Sequence, residues 1–158
     1  MARVIISGMD GLKKKLKTLS TKTINEIKYQ VLDSGTQIVS DALAAAPTDL
    51  LMISGSGESK DKLNIKNRLV NEPKNNGFAA EIGVQGESKI PVYVEFGTGT
   101  DAASYVPTLP QEVQDYARSF YVNGKGRIKK QPYLIPAFLR ESPIFIKELE
   151  NILKNSVR

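Results

Sequence analysis

The sequence predicts an α+β fold, a small antiparallel sheet packed against a long N-terminal helix (or helical hairpin) and a C-terminal helix. Three observations predict it. Apolar residues recur at three- and four-residue spacing through the first third, as on one face of a helix. A run from Phe78 to Val84 alternates apolar and other residues, the period of a half-buried strand. Helical spacing then returns at the end, through Ile146, Leu149, Ile152 and Leu153. Helix, strands and helix in that order, without internal repeats, belong to the α+β class, and 158 residues suit one domain over 1–158.

The elements follow in order. Leu12, Leu16 and Leu19 share a face, with the lysines of "KKKLK" (13–17) on the solvated side. Ile24, Ile27, Val31, Ile38 and Ala42 continue the stripe in a second, longer helix. "TINE" from Thr23 has the spacing of a capping box, so this helix is expected to start at Thr23 and to stop before Pro47. "SGSGESKDK", within about 54–63, holds too little apolar surface to order itself and is expected to be a mobile loop. Asn76 and Gly77 are expected to take the positive φ of a hairpin turn, pairing Ile65–Glu72 with the Phe78–Val84 strand. Val92–Phe96 is expected to be a third strand, with Val92, Val94 and Phe96 facing the core and Tyr93 and Glu95 facing away. A short helix is expected over Leu109–Phe120, with Pro110 at its first position. Ser142 and Pro143 supply a plausible cap and first turn for the last helix.

Composition narrows the chemistry. The chain has no cysteine and no histidine, which removes disulfides, thiolate nucleophiles, the commonest general base and the commonest transition-metal ligand. No apolar run has bilayer-crossing or signal-peptide length, so synthesis in the cytoplasm and no membrane partner are expected. The net charge of +5 favours polyanionic partners, although the lysines are spread along the chain. The local cluster "KGRIKK" carries Lys125, Arg127, Lys129 and Lys130 on an aperiodic loop, either solvated or facing DNA.

"GTGTDA" from Gly97 satisfies G-x-G-x-x-A after an expected strand, but Pro107 and Pro110 interrupt the helix that a pyrophosphate needs. "GSGESK" at 55–60 lacks the second glycine and the Lys-Ser/Thr pair of a P-loop. No D-x-D-x-D-G calcium spacing occurs, so catalytic residues, cofactors and metals are all expected to be absent. Glu81 and Glu95, both on expected strands, are the candidate carboxylate pair for a hydrolase.

"VYVEFGT" and "QPYLIPAF" remain. With a helical segment ending in "AAAP", a strand and a closing helix around them, the chain from about Leu12 to Leu153 resembles the head-tail joining or tail-completion proteins of long-tailed bacteriophages. Tyr93, Glu95, Phe96, Gly97 and Thr98 match that family's first motif, and Gln131, Pro132, Tyr133, Pro136 and Ala137 match its second. "TDLLMISG" after Pro47 departs from the family's Thr-Gly-x-Leu turn. The resemblance implies a non-enzymatic structural protein of the virion, at the head-tail junction in the neck. It implies a homomeric ring, six copies by the family pattern, between a head connector or stopper protein and a tail terminator or tail tube protein. The two motifs would then serve as interface, and the basic loop could touch DNA in the lumen without reading its sequence. A basic nucleic-acid-binding accessory protein is the alternative, and a carboxylate hydrolase the third.

Overall fold

The computed structural model describes residues 3–4, 20–47, 50–51, 62–120 and 126–156. The expected first helix around Leu12, Leu16 and Leu19, the lysines at 13–17, loop residues 54–61 and Lys125 lie outside the described residues. The elements are β1 (Arg3–Val4), α1 (Thr21–Ala45), β2 (Leu50–Leu51), β3 (Lys62–Leu63), β4 (Leu69–Lys74), β5 (Ala79–Val84), α2 (Ile90–Phe96), α3 (Thr100–Tyr105), α4 (Gln111–Arg118) and α5 (Leu134–Ser156). The fold is α+β: α1 packs on α5 and on the antiparallel pair β4–β5.

α1 forms because its stripe is regular. Thr23, Ile27, Val31, Ser34, Ile38 and Ala42 are buried, three or four residues apart. Its N-cap is Ser20, not Thr23: the Ser20 hydroxyl accepts from the Thr23 amide at 3.2 Å and meets the Thr23 hydroxyl at 3.0 Å. The start moves back because Thr23 is itself buried, which places it inside the helix on the core face.

β5 lies between β1 and β4, antiparallel to both. Asn76 and Gly77 do take positive φ, joined by Asn75. The partner strand is shifted to Leu69–Lys74, because Ile65 is fully buried and Lys66–Arg68 form a 3₁₀ turn. Lys62 and Leu63, expected in the loop, form a strand with Leu50 and Leu51.

Two expectations fail together. Val92–Phe96 is helical, not a strand, and α5 begins at Leu134, eight residues before Ser142, so Pro143 lies inside it. The pattern Val92-Val94-Phe96 reads as alternation only while one face is wet. Pro91, Val92, Val94, Glu95 and Phe96 are all buried, so α2 is enclosed on most sides and periodicity loses its meaning. α4 also starts one residue late, with Pro110 as N-cap.

Two apolar clusters make up the described core. One gathers Ile38, Ala42, Ile65, Ile82, Val84, Val94, Tyr133 and Leu134 between α1, the sheet and α5. The other gathers Val92, Phe96, Ala102, Val106, Leu109, Ala117 and Ile135 around α2, α3 and α4. α2 and the first turn of α5 contribute to both, so they form the seam between them.

Candidate functional site

Glu95 occupies that seam. It is only 4% exposed, and its carboxylate accepts three main-chain hydrogen bonds from the start of α5. Tyr133 and Leu134 donate to one oxygen at 3.0 and 2.9 Å, and Ile135 to the other at 2.9 Å. The first amides of a helix have no partner within it. "QPYLIPAF" contains no serine, threonine, aspartate or asparagine to cap them, and Glu95 supplies the cap from 39 residues earlier. The negative charge also faces the positive end of the helix dipole. Burial raises the Glu95 carboxyl above its ordinary range, while the amides of Leu134, Tyr133 and Ile135 pull it back down. The charge acts outward on two phenols. Tyr105 is pushed up to about 12, first by burial and then by Glu95, and Tyr133 moves the same way for the same two reasons.

The glycine turn extends the same lock. The Thr98 amide donates to the Ile128 carbonyl at 2.9 Å, and the Ile128 amide returns a bond to the Thr98 hydroxyl at 2.8 Å. Lys130 donates its amide to Asp101 at 3.0 Å, and Gln131 donates to the Val94 carbonyl at 2.7 Å. Contact this close requires glycine on both sides. Gly97 has φ 76°, and a Cβ there would lie 2.9 Å from Asp101 Cβ and 3.1 Å from the Lys130 amide nitrogen. Gly126 has φ 111°, and a Cβ would lie 2.5 Å from the Thr98 hydroxyl. The turn therefore holds another stretch of its own chain. α3, of six residues, does begin after it and ends before Pro107, but the Gly97 and Thr98 amides are already spent on Tyr93 and Ile128.

The structure thus brings the two sequence motifs together. Glu95, Phe96, Gly97 and Tyr133 are interior; Tyr93, Thr98, Pro132 and Pro136 are half-buried; Gln131 is exposed. The expectation that Glu95 faces away from the core is corrected, because its partners are buried amides that no neighbour could replace. Nor is Glu95 presented to solvent as one of a catalytic pair: both its oxygens are committed to the main chain, whereas Glu81 lies on β5 within 3.6 Å of Lys74. Arg127, Lys129 and Lys130 are exposed, and the Lys130 ammonium lies 4.7 Å from the centre of the Tyr105 ring.

The chain matches no family model, no curated protein and no solved structure.

A pocket of about 270 Å³ opens beside the lock. Val92, Phe96, Val106, Ala117, Phe120 and Ile128 give it apolar walls, and Tyr93 and Thr98 line it as well. Phe96, Tyr116 and Phe120 stack in tilted pairs, with ring centres 6.3 and 5.1 Å apart. Reading the sequence did not reveal Asp101 and Ile128 as parts of the lock. One signal was available for Glu95: an acidic residue inside a run of apolar ones, which folding tolerates only with dedicated partners.

Proposed function

We propose that this chain is a structural protein of the neck of a long-tailed bacteriophage, a ring of copies joining the head connector to the tail. One observation carries the reading: the two motifs behind the resemblance are a single unit, joined by the Glu95 carboxylate on the Tyr133, Leu134 and Ile135 amides and by the Gln131 amide on the Val94 carbonyl. Residues that each served a separate partner would have no reason to meet, whereas these are bonded to one another. The lock fixes the Gly97–Asp101 turn and the 126–133 segment as one stiff surface. Stiff loops lose little entropy on docking, which suits a part whose work is to bind other proteins. A protein stacked on the axis of a tail shares its rotational symmetry, and only heterologous contacts that close generate a ring. Its neighbours are a connector or stopper protein on one side and a tail terminator or tube protein on the other.

The test is a reconstruction of the assembled particle. The expected result is this chain as a closed ring at the head-tail junction. A single copy off the axis, or density for the chain elsewhere in the virion, would refute the reading.

A further inference from the structure

A ring needs two different surfaces that fit each other, and the described residues carry a matched pair. The first is the pocket beside the lock, with Phe96 and Phe120 in its walls and Ile128 at its edge. Arg127 and Lys129 flank Ile128, both exposed and outside the ion pairs found among the described residues. The second is the outer face of α1. Tyr29 is 68% exposed, the most exposed large apolar side chain among the described residues, with Leu32 at 47% beside it. Glu26 stands three residues before Tyr29 and Asp33 four after, so all three share one face of the helix. Both carboxylates are on exposed residues, and Glu26 has only a long, solvated contact with Lys22 at 3.8 Å.

We infer that Tyr29 of one copy docks in the pocket of the next, with its Glu26 and Asp33 meeting that neighbour's Arg127 and Lys129. The chemistry matches on each count. An aromatic ring meets tilted aromatic walls, and two carboxylates meet two cations. The pocket, about 270 Å³ with mostly apolar walls, has room for an aromatic side chain. Tyrosine is among the residues enriched as interface anchors. Knob and pocket are separate surfaces of the molecule: Ala42 shares an apolar cluster with Leu134 at the start of α5, and Tyr29 lies thirteen residues back along α1, about 20 Å at 1.5 Å per residue. Two different surfaces that fit each other make a head-to-tail contact. This deepens the ring reading and rests on it for closure of the ring.

The experiment uses the whole chain in sedimentation across a concentration series. The parent should associate reversibly beyond a dimer. Tyr29→Ala removes the knob and leaves the pocket; the double variant Arg127→Glu/Lys129→Glu spoils the pocket and leaves the knob. All three positions are exposed, so both variants should keep the parent's circular dichroism. Each alone should associate at least about tenfold more weakly. Mixed together, they should form a one-to-one dimer that grows no further, since one intact knob and one intact pocket remain. A parent that stays monomeric, a Tyr29→Ala chain that associates like the parent, or a mixture that stays monomeric would overturn the contact. So would loss of DNA retention without loss of self-association in the Arg127→Glu/Lys129→Glu chain, which would assign these cations to nucleic acid. A particle with the ring at the junction but Tyr29 turned away refutes the contact alone. A chain found off the junction refutes the neck reading and leaves the solution result standing.

Discussion

Glu95 shows how one side chain can hold two elements in place. Glu95→Ala would leave the amides of Tyr133, Leu134 and Ile135 buried without acceptors, and loss of stability by about 3 kcal/mol is expected in denaturant unfolding. Glu95→Gln keeps one carbonyl but sets an NH₂ group against an amide, so it should fall between Ala and the parent. Gly97→Val should cost more than about 1 kcal/mol, because φ 76° is strained for any side chain and Asp101 and Lys130 already occupy the space. Melting like the parent would show that the turn relaxes. The phenols give a pH signature. A phenol raised in the fold stays neutral there after its unfolded counterpart has ionised. The stability that Tyr105 contributes is therefore whole below the ordinary value of 10.0 and is lost as pH rises through about 12. Phenolate absorbance from Tyr105 and Tyr133 should rise late in an alkaline titration, coinciding with loss of the native circular dichroism.

At the scale of elements, α1 meets β4 through a missing side chain. A Cβ on Gly35 would lie 2.6 Å from the side-chain nitrogen Nδ2 of Asn71, which donates to the Leu32 carbonyl at 3.2 Å. Gly35→Ala gains about 1 kcal/mol of helix propensity but drives the Asn71 amide off its partner, so a net loss of stability is expected. Gly35→Ala with Asn71→Ala should recover it, since the clash disappears and the Asn71 side-chain oxygen, buried without a partner, goes with it. Non-additivity in that double-mutant cycle is the readout. The α1 stripe, the β5 strand and the Asn76-Gly77 turn were legible in the sequence, although burial along β5 deepens toward Val84 instead of alternating. α2 and the start of α5 were not. A short helix buried on most sides has no periodicity to read, and a helix capped from 39 residues away carries no cap in its own sequence.

For the molecule as a whole, the seam decides cooperativity. Val94 and Leu134 belong to one apolar cluster and Val92, Phe96 and Ile135 to the other, so Glu95 fastens the point where they join. Hydrogen exchange should find the Tyr133, Leu134 and Ile135 amides among the slowest in the protein. In Glu95→Ala the cluster around α3 and α4 should open first, while the α1–β5 cluster keeps most of its protection. Uniform acceleration throughout would show a single cooperative unit that does not depend on the seam.

The sequence by itself determined the α+β class, the long amphipathic α1, the β4–β5 hairpin and the positive φ at Asn76 and Gly77, because each follows from local spacing or local backbone sterics. It also brought "VYVEFGT" and "QPYLIPAF" to notice as a pair. Only the tertiary structure decided what the pair does. A buried carboxylate is stable only where donors converge on it, and the donors that converge on Glu95 are backbone amides, identical in every sequence and placed within reach by folding alone.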